Sequence, residues 1–190
     1  ERSGPIVPLW CDDDIAERAT AAKVVVFSGT GTVFSAGADL EQARAGLAVD
    51  PVWERLSNAV AALPGLTIAA LNGTVAGGAM GMVLACDLRI AVPQAKFFYP
   101  VMKLGYLPQP SDPARLAALV GPARAKMILM AGQKIRAEEA LHWGLIDRIV
   151  PAQMLSEQVD DLVHDVMNAD PTLVAGIKQM IPAGYDGTNS

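Results

Sequence analysis

The pattern of apolar positions changes along the chain, from short continuous runs to helical stripes. Continuous apolar runs at residues 23–27 and 67–71 predict strands that are covered on both faces, because such strands show no polar alternation. Near the other end, residues 155–167 place their apolar side chains on one stripe at helical spacing. Strands that alternate with helices and then give way to helices predict an α/β layered domain.

The other predicted elements follow from the same periods and from Gly, Pro and Asn punctuation. Strands are expected at 88–92, 96–99 and 148–150, and helices at 39–46, 51–63, 78–86, 113–120, 123–130, 137–143 and 171–181. Asp50 is expected to cap the helix that follows it, with Pro51 in the first turn. We expect a core domain over residues 1–150 and a helical region over 151–190.

One stretch, residues 56–86, contains no charged side chain and is long enough to cross a bilayer. Pro–Gly, Asn–Gly and Gly–Gly pairs interrupt it, however, and these pairs break helices. A strand, a turn and a helix inside a globular core explain the stretch better than a membrane span.

Composition limits the classes of function. The chain has 190 residues, 52% apolar and 18% charged, which suffices for one domain with a sizeable core. Its net charge of −5 and the absence of a basic cluster argue against nucleic acid and anionic membranes as partners. The two cysteines, Cys11 and Cys86, have no metal-like spacing, and we expect no metal, no disulfide and a cytoplasmic location.

Two small-residue loops carry the candidate chemistry, at residues 34–40 and 72–81. Both follow buried strands, so both can emerge at the same edge of a sheet. The second leads into a helix, whose first N–H groups lack partners and carry the positive end of the helix dipole. A free N–H from each loop would form a two-donor oxyanion hole, although glycines that serve only tight turns remain the alternative.

The sequence does not match three other functional motifs that contain glycine. Gly29 and Gly31 are followed by Phe34 where a dinucleotide-binding motif requires a third glycine. The chain has no Gly-Lys-Ser/Thr phosphate loop, and Ser35 lacks the flanking glycines of a nucleophile elbow.

An ordered set of short motifs resembles the crotonase (enoyl-CoA hydratase/isomerase) superfamily from about residue 23 to residue 181. The set comprises Ala36-Gly37-Ala38-Asp39-Leu40, Asn72-Gly73, Gly77-Gly78, Cys86-Asp87-Leu88-Arg89-Ile90-Ala91, Lys103-Leu104-Gly105 with Pro108, and Ala137-Glu138-Glu139-Ala140 with Gly144-Leu145-Ile146.

The resemblance implies a spiral of ββα turns that binds an acyl-CoA thioester, with coenzyme A as part of the substrate and no separate cofactor. It also implies homotrimers or hexamers and lyase or isomerase activity in fatty acid metabolism. It assigns the oxyanion donors to the N–H groups of Ala38 and Gly78. The implied substrate contacts are Ala36, Gly37, Asp39, Leu40, Gly77, Met80, Gly81, Val101 and Gln109.

The chain departs from the family at its acid–base positions. Hydratases of the family place one glutamate three residues after the oxyanion glycine and another before the Lys-x-Gly segment, and these positions hold Gly81 and Val101 here. Some relatives instead place an aspartate where this chain has Gln109. Since general acid–base catalysis contributes roughly 10²–10⁴-fold, the standard two-glutamate hydration is not expected.

Asp112 and Tyr106 are the candidate replacements. Asp112 precedes Pro113, so its favoured role is to cap a helix, with catalysis as the alternative. Tyr106 either donates a hydrogen bond to the substrate or only packs against its neighbours. Lys103 is either catalytic or a solvent-exposed structural lysine. His142 and His164 are expected at the surface.

Two further expectations remain open. Met80, Met82 and Met102 can line an acyl pocket or fill the core. The family's N-terminal β-hairpin motif is missing or altered in residues 1–22, and a longer C-terminal helical extension is not seen after Ile181. The favoured hypothesis is a crotonase-type enzyme, and the alternative is an inactive acyl-CoA-binding protein on the same fold.

Overall fold

A computed structural model describes residues 19–37 and 50–181 of the chain. The strands are β1 (Val24–Ser28), β2 (Leu66–Leu71), β3 (Val75–Ala76), β4 (Leu88–Ala91), β5 (Lys96–Phe98), β6 (Ile135–Arg136) and β7 (Arg148–Ile149). The helices are α1 (Val52–Ala61), α2 (Ala79–Ala85), α3 (Val101–Leu104), α4 (Asp112–Val120), α5 (Pro122–Leu129), α6 (Ala137–Trp143), α7 (Leu155–Asn168) and α8 (Pro171–Met180), with a 3₁₀ turn at Ala152–Met154. The predicted helix at 39–46 lies outside the described residues.

Two sheets organise the described part of the chain. The larger has the strand order β1-β2-β4-β7, and all of its pairs are parallel. The smaller has the order β3-β5-β6, with β3 and β5 parallel and β5 and β6 antiparallel. Parallel neighbours require crossovers, and the intervening helices supply them, which confirms the predicted α/β class.

The charge-free stretch forms the centre of the core. Most of its side chains in β2, β3 and α2 are buried, including Ile68, Leu71, Val75 and Met80. Burial on both faces explains why these segments lack polar alternation. Among the residues described, no helix is both long and apolar enough to cross a bilayer.

Most predicted elements are confirmed within one or two residues, and the differences are local. Asp50 does cap α1, since its carboxylate accepts a hydrogen bond from the Val52 N–H at 2.8 Å. The two-residue strands β3 and β6 and the one-turn helix α3 are too short to produce a period in the sequence. Met167, predicted on the apolar stripe of α7, is 55% exposed because it lies near the end of that helix.

Candidate active site

The Asn72 side chain fastens the loop after β1 to the turn after β2. Its Oδ1 accepts a hydrogen bond from the Gly29 N–H at 3.0 Å. Its Nδ2 donates to the carbonyl oxygens of Gly31 at 2.9 Å and Val33 at 3.3 Å. One amide side chain therefore fixes three points of the first loop against the second.

Backbone hydrogen bonds then run the two loops side by side. Ser35 forms a parallel bridge with Val75, and the Ala76 N–H donates to the Ser35 carbonyl at 3.1 Å. The N–H groups of Phe34 and Ser35 both donate to the Thr74 carbonyl. The prediction that the two loops emerge at one edge is confirmed as far as Gly37.

Gly37 and Gly77 meet where the loops converge. Both have left-handed backbones, with φ of 95° and 62°, and a Cβ built on Gly77 would lie 3.5 Å from the Gly37 Cα. The left-handed conformation favours glycine at both positions, whereas the 3.5 Å separation is an ordinary van der Waals contact. Ala36 is exposed just before this contact, whereas Ala38, Asp39 and Leu40 lie outside the described residues.

Gly78 follows this contact directly and precedes the first residue of α2. Its N–H group has no acceptor among the described residues, as expected at a helix start. A Cβ on Gly78 would lie 2.7 Å from Cδ2 of Trp53, so the indole of α1 packs directly on the Gly78 Cα. Its φ of −57° is ordinary, so packing and not backbone conformation requires glycine here.

An open cleft of about 510 Å³ lies beside α1 and the segment after α3. Its lining residues are Pro51, Glu54, Gly105, Tyr106, Leu107, Pro108, Gln109 and Pro110. The volume falls in the range of small-molecule sites, and the lining is mostly apolar with three polar groups. Tyr106 and Gln109, both predicted site residues, therefore share one cleft.

Gly81 lies against the carboxyl group of Asp112. A Cβ built on Gly81 would be 2.6 Å from Asp112 Oδ1 and 3.0 Å from Oδ2, so that carboxyl occupies the space of the missing side chain. Both residues are buried. The start of α4 thus inserts an acidic group beside the first turn of α2.

The Asp112 carboxyl is buried and has few hydrogen-bond partners. Its side chain is fully buried, and Oδ2 accepts a hydrogen bond from the Tyr99 hydroxyl at 2.9 Å. Oδ1 has no hydrogen-bond partner in the described part of the chain. Burial raises the pKa of Asp112 from 3.8 to about 6, against the opposing effects of Tyr99 and Arg115. Burial, and then the neighbouring Asp112 carboxylate, raise the pKa of the Tyr99 hydroxyl well above its usual value.

The favoured role of Asp112 as a helix cap is therefore wrong. Helix α4 begins at Asp112 itself, after Ser111, and no side chain caps its first N–H groups. The Asp112 carboxyl turns inward to Tyr99, because α2 leaves space at Gly81. Tertiary packing thus overrides a local preference for capping.

The other predicted residues lie at varied depths. Met80 and Val101 are buried, whereas Met102 is 57% exposed and Lys103 is also exposed. Met102 therefore does not extend a buried methionine pocket, although Met80 is consistent with either role. His142 and His164 are exposed, as predicted.

Two residues near the site, Trp53 and Glu54, could not have been predicted as site residues from the sequence. Trp53 and Glu54 belong to the amphipathic helix α1, where aromatic and acidic residues are common. The Glu54 carboxylate accepts hydrogen bonds from the N–H and hydroxyl groups of Ser111, which lower its pKa despite partial burial. Trp53 reaches Gly78 because α1 packs against the start of α2, whereas Glu54 reaches the cleft wall and Ser111, the residue before α4.

Comparison with known proteins supports one family. The family model described as enoyl-CoA hydratase/isomerase matches residues 14–190. A carnitinyl-CoA dehydratase of Citrobacter koseri is 34% identical over 171 residues, which cover 85% of this chain and 64% of that protein. The chain therefore spans slightly less than two thirds of the length of this curated relative.

Solved structures agree with the sequence comparison. An enoyl-CoA hydratase from Bacillus anthracis superposes with a TM-score of 0.77 at 33% identity, covering 88% of this chain and 67% of that one. A Thermobifida fusca protein solved in complex with CoA superposes with a TM-score of 0.82 at 26% identity, covering 94% of this chain and 74% of that one.

Proposed function

Because the chain belongs to the enoyl-CoA hydratase/isomerase family and has the crotonase fold, we propose that it processes an acyl-CoA thioester through an oxyanion or enolate. The N–H groups of Ala38 and Gly78 are the proposed donors to the thioester oxygen. The observation that carries this proposal is the Gly78 N–H, which has no protein acceptor in the described residues and directly follows the contact of Gly37 with Gly77.

The chemistry follows from where charge develops. Attack on a thioester, or removal of a proton next to it, moves an electron pair onto the carbonyl oxygen. Two fixed N–H donors stabilise that charge, and each contributes about 3–4 kcal/mol in comparable sites. The start of α2 adds the positive end of its backbone dipoles to the effect of Gly78.

The names of relatives point to the substrate class. One curated relative is named carnitinyl-CoA dehydratase, and one similar structure is named enoyl-CoA hydratase. We extend acyl-CoA chemistry to this chain on that basis, with the cleft beside Tyr106 and Gln109 as the proposed acyl site. Its size suits an acyl group, and its walls are mostly apolar.

The reaction is not proposed to follow the standard two-glutamate hydration. Gly81 and Val101 offer no ionisable group at the positions of those glutamates, and Gln109 offers only an amide. The same observation favours a second candidate function, an acyl-CoA-binding protein without turnover. Lyase and isomerase activities are both compatible with the proposed oxyanion site.

An absorbance experiment tests the polarising site apart from turnover. A conjugated thioester, hexadienoyl-CoA, is titrated with the protein, and its absorption band should shift to longer wavelength when its carbonyl is polarised. Gly78→Ala should reduce the shift, because the new methyl group displaces Trp53 or the start of α2. Gly176→Ala is the matched control, because a Cβ there meets open space on α8.

The outcomes separate the candidates. A shift that Gly78→Ala reduces and Gly176→Ala leaves unchanged supports the proposed site. Binding without any shift contradicts it. Turnover of enoyl-, dienoyl- and malonyl-type CoA thioesters, measured in parallel, distinguishes the enzyme from the binding protein.

Assembly and location remain predictions. We propose homotrimers or hexamers and a cytoplasmic location from the family resemblance. Light scattering coupled to size-exclusion chromatography measures the assembly directly, and a monomeric mass at micromolar concentration would contradict it.

A further inference from the structure

One acidic group is already placed beside the proposed oxyanion donor. The Gly81 N–H donates to the Gly78 carbonyl at 3.1 Å, so the two residues lie one turn apart on α2. The Asp112 carboxyl fills the space in front of Gly81. It therefore lies about one helical turn from the Gly78 N–H, with no ionisable side chain from α2 in between.

A purely structural role does not explain this carboxyl. It caps no helix, and one of its oxygens has no hydrogen-bond partner among the residues described. An unsatisfied polar atom in the interior destabilises a fold, and groups kept under such conditions are concentrated at functional sites.

We propose that Asp112 is the acid–base group of this site, supplied by α4 in the space that Gly81 leaves open, with Tyr99 as its positioning residue. The inference rests on the proposed acyl-CoA function. Asp112 removes a proton from the α-carbon of the thioester as the C–H electron pair forms the C=C bond of the enolate and the carbonyl π pair moves onto the oxygen. Asp112, after its proton has exchanged with solvent, delivers a proton back to the α-carbon, or to the γ-carbon of a β,γ-unsaturated acyl group as the double bond shifts.

Only three positions in the sequence separate Asp112 from Gln109, a residue of the cleft wall. Gln109 lines the cleft, and its carbonyl accepts a hydrogen bond from the Asp112 N–H at 3.1 Å. Asp112 itself does not line the cleft and its side chain is buried, so the proposal requires the acyl group to pass Gln109 to reach it.

Four influences set the protonation state of Asp112. Burial and the Glu54 carboxylate of α1 raise its pKa, whereas the Tyr99 hydroxyl and the Arg115 guanidinium of α4 lower it. The facing residue on α2 is Gly81, which does not titrate. With a pKa of about 6, Asp112 is a base at neutral pH and an acid after it takes the proton.

The test measures α-proton exchange of 3-butenoyl-CoA in D₂O by NMR, with the full chain. Binding of the same thioester is measured by calorimetry for every variant. We expect Asp112→Asn to reduce exchange by about 10²–10⁴-fold while its dissociation constant changes little. Asp165→Asn, the same substitution at an exposed position of α7, should leave both unchanged.

A second variant, Tyr99→Phe, distinguishes a role of Tyr99 in positioning Asp112 from a role in folding alone. Exchange by the wild-type protein should rise with pH through a midpoint near the Asp112 pKa of about 6. Tyr99→Phe removes a hydrogen bond that lowers this pKa, so the midpoint should move to higher pH. A purely structural Tyr99 would change the melting temperature without moving the midpoint.

Each outcome decides a separate claim. Exchange that Asp112→Asn retains within ten-fold overturns the role of Asp112 and leaves the acyl-CoA function intact. Binding without exchange by the wild-type protein also overturns it, and favours the binding protein. An unmoved midpoint in Tyr99→Phe overturns only the positioning role of Tyr99. Failure to bind any acyl-CoA contradicts the proposed function itself.

Discussion

Asp112 shows how one residue can conflict with the stability of the fold around it. Its carboxyl is fully buried, has one hydrogen bond from Tyr99, and leaves Oδ1 without a partner among the described residues. Its pKa is raised from 3.8 to about 6, which means that the folded state resists its ionisation. Proteins tolerate such costs chiefly where function requires the group.

Replacing Asp112 with Asn should therefore stabilise the protein in a pH-dependent way. The carboxyl ionises near pH 3.8 in the unfolded chain and near pH 6 in the folded protein. The unfolding free energy of the wild-type protein therefore decreases as the pH rises from 3.8 to 6, and it is constant above that range. Relative to wild type, the Asn variant should gain about 3 kcal/mol of unfolding free energy between pH 4 and pH 7. Urea denaturation at several pH values measures this gain, and a constant difference between the two proteins would contradict the buried, ionisable Asp112.

Helices α1 and α4 meet through polar side chains, of which Glu54 also lines the cleft. Arg115 of α4 donates to Ser57 Oγ at 2.9 Å and to Asn58 Oδ1 at 2.7 Å. Glu54 of α1 accepts from the Ser111 N–H at 3.2 Å. Since Ser57 is fully buried, its hydrogen bond with Arg115 is protected from water. That bond holds α1 and α4 in place against each other.

The variant Arg115→Ala should lower the unfolding free energy by about 1–3 kcal/mol, because it removes two hydrogen bonds from a charged donor. It should also raise the pKa of Asp112 further, since Arg115 lowers it. Lys126→Ala, an exposed cation on the neighbouring helix α5, is the control and should change stability little. Denaturant unfolding measures the first effect, and equal losses in the two variants would exclude a specific α1–α4 contact.

At the scale of the molecule, one lysine fastens the last described helix to the main sheet. Lys178 Nζ donates to Asp87 Oδ2 at 2.7 Å and to the Gly65 carbonyl at 2.9 Å. The same Asp87 oxygen accepts from the N–H and hydroxyl groups of Thr67 in β2. Helix α8 has no buried residue, so these polar contacts are a large part of what holds it.

Lys178→Met should release α8 without unfolding the core. Backbone amides of α8 should exchange with solvent faster, while those of β2 and β4 keep their protection, because local opening is governed by local contacts. Hydrogen exchange read by mass spectrometry measures this difference. Lys126→Met serves as the control, and unchanged exchange in α8 after Lys178→Met would show that other contacts hold the helix.

Local patterns predicted most of the elements because each pattern has a local physical cause. The apolar run at 67–71 has no polar alternation because β2 is buried on both faces. Asp50 caps α1 as predicted, because a cap bond depends on neighbouring residues only.

The sequence by itself determined the longer strands, the longer helices, the two loops and the family resemblance, since each depends on residues close together in the chain. Only the tertiary structure decided that Asp112 meets Gly81, and that Trp53 and Glu54 join the site. These contacts join residues far apart in sequence, and they depend on how α1, α2 and α4 pack. A local preference for capping is weak compared with the burial of a helix face, so packing decided where the Asp112 carboxyl points.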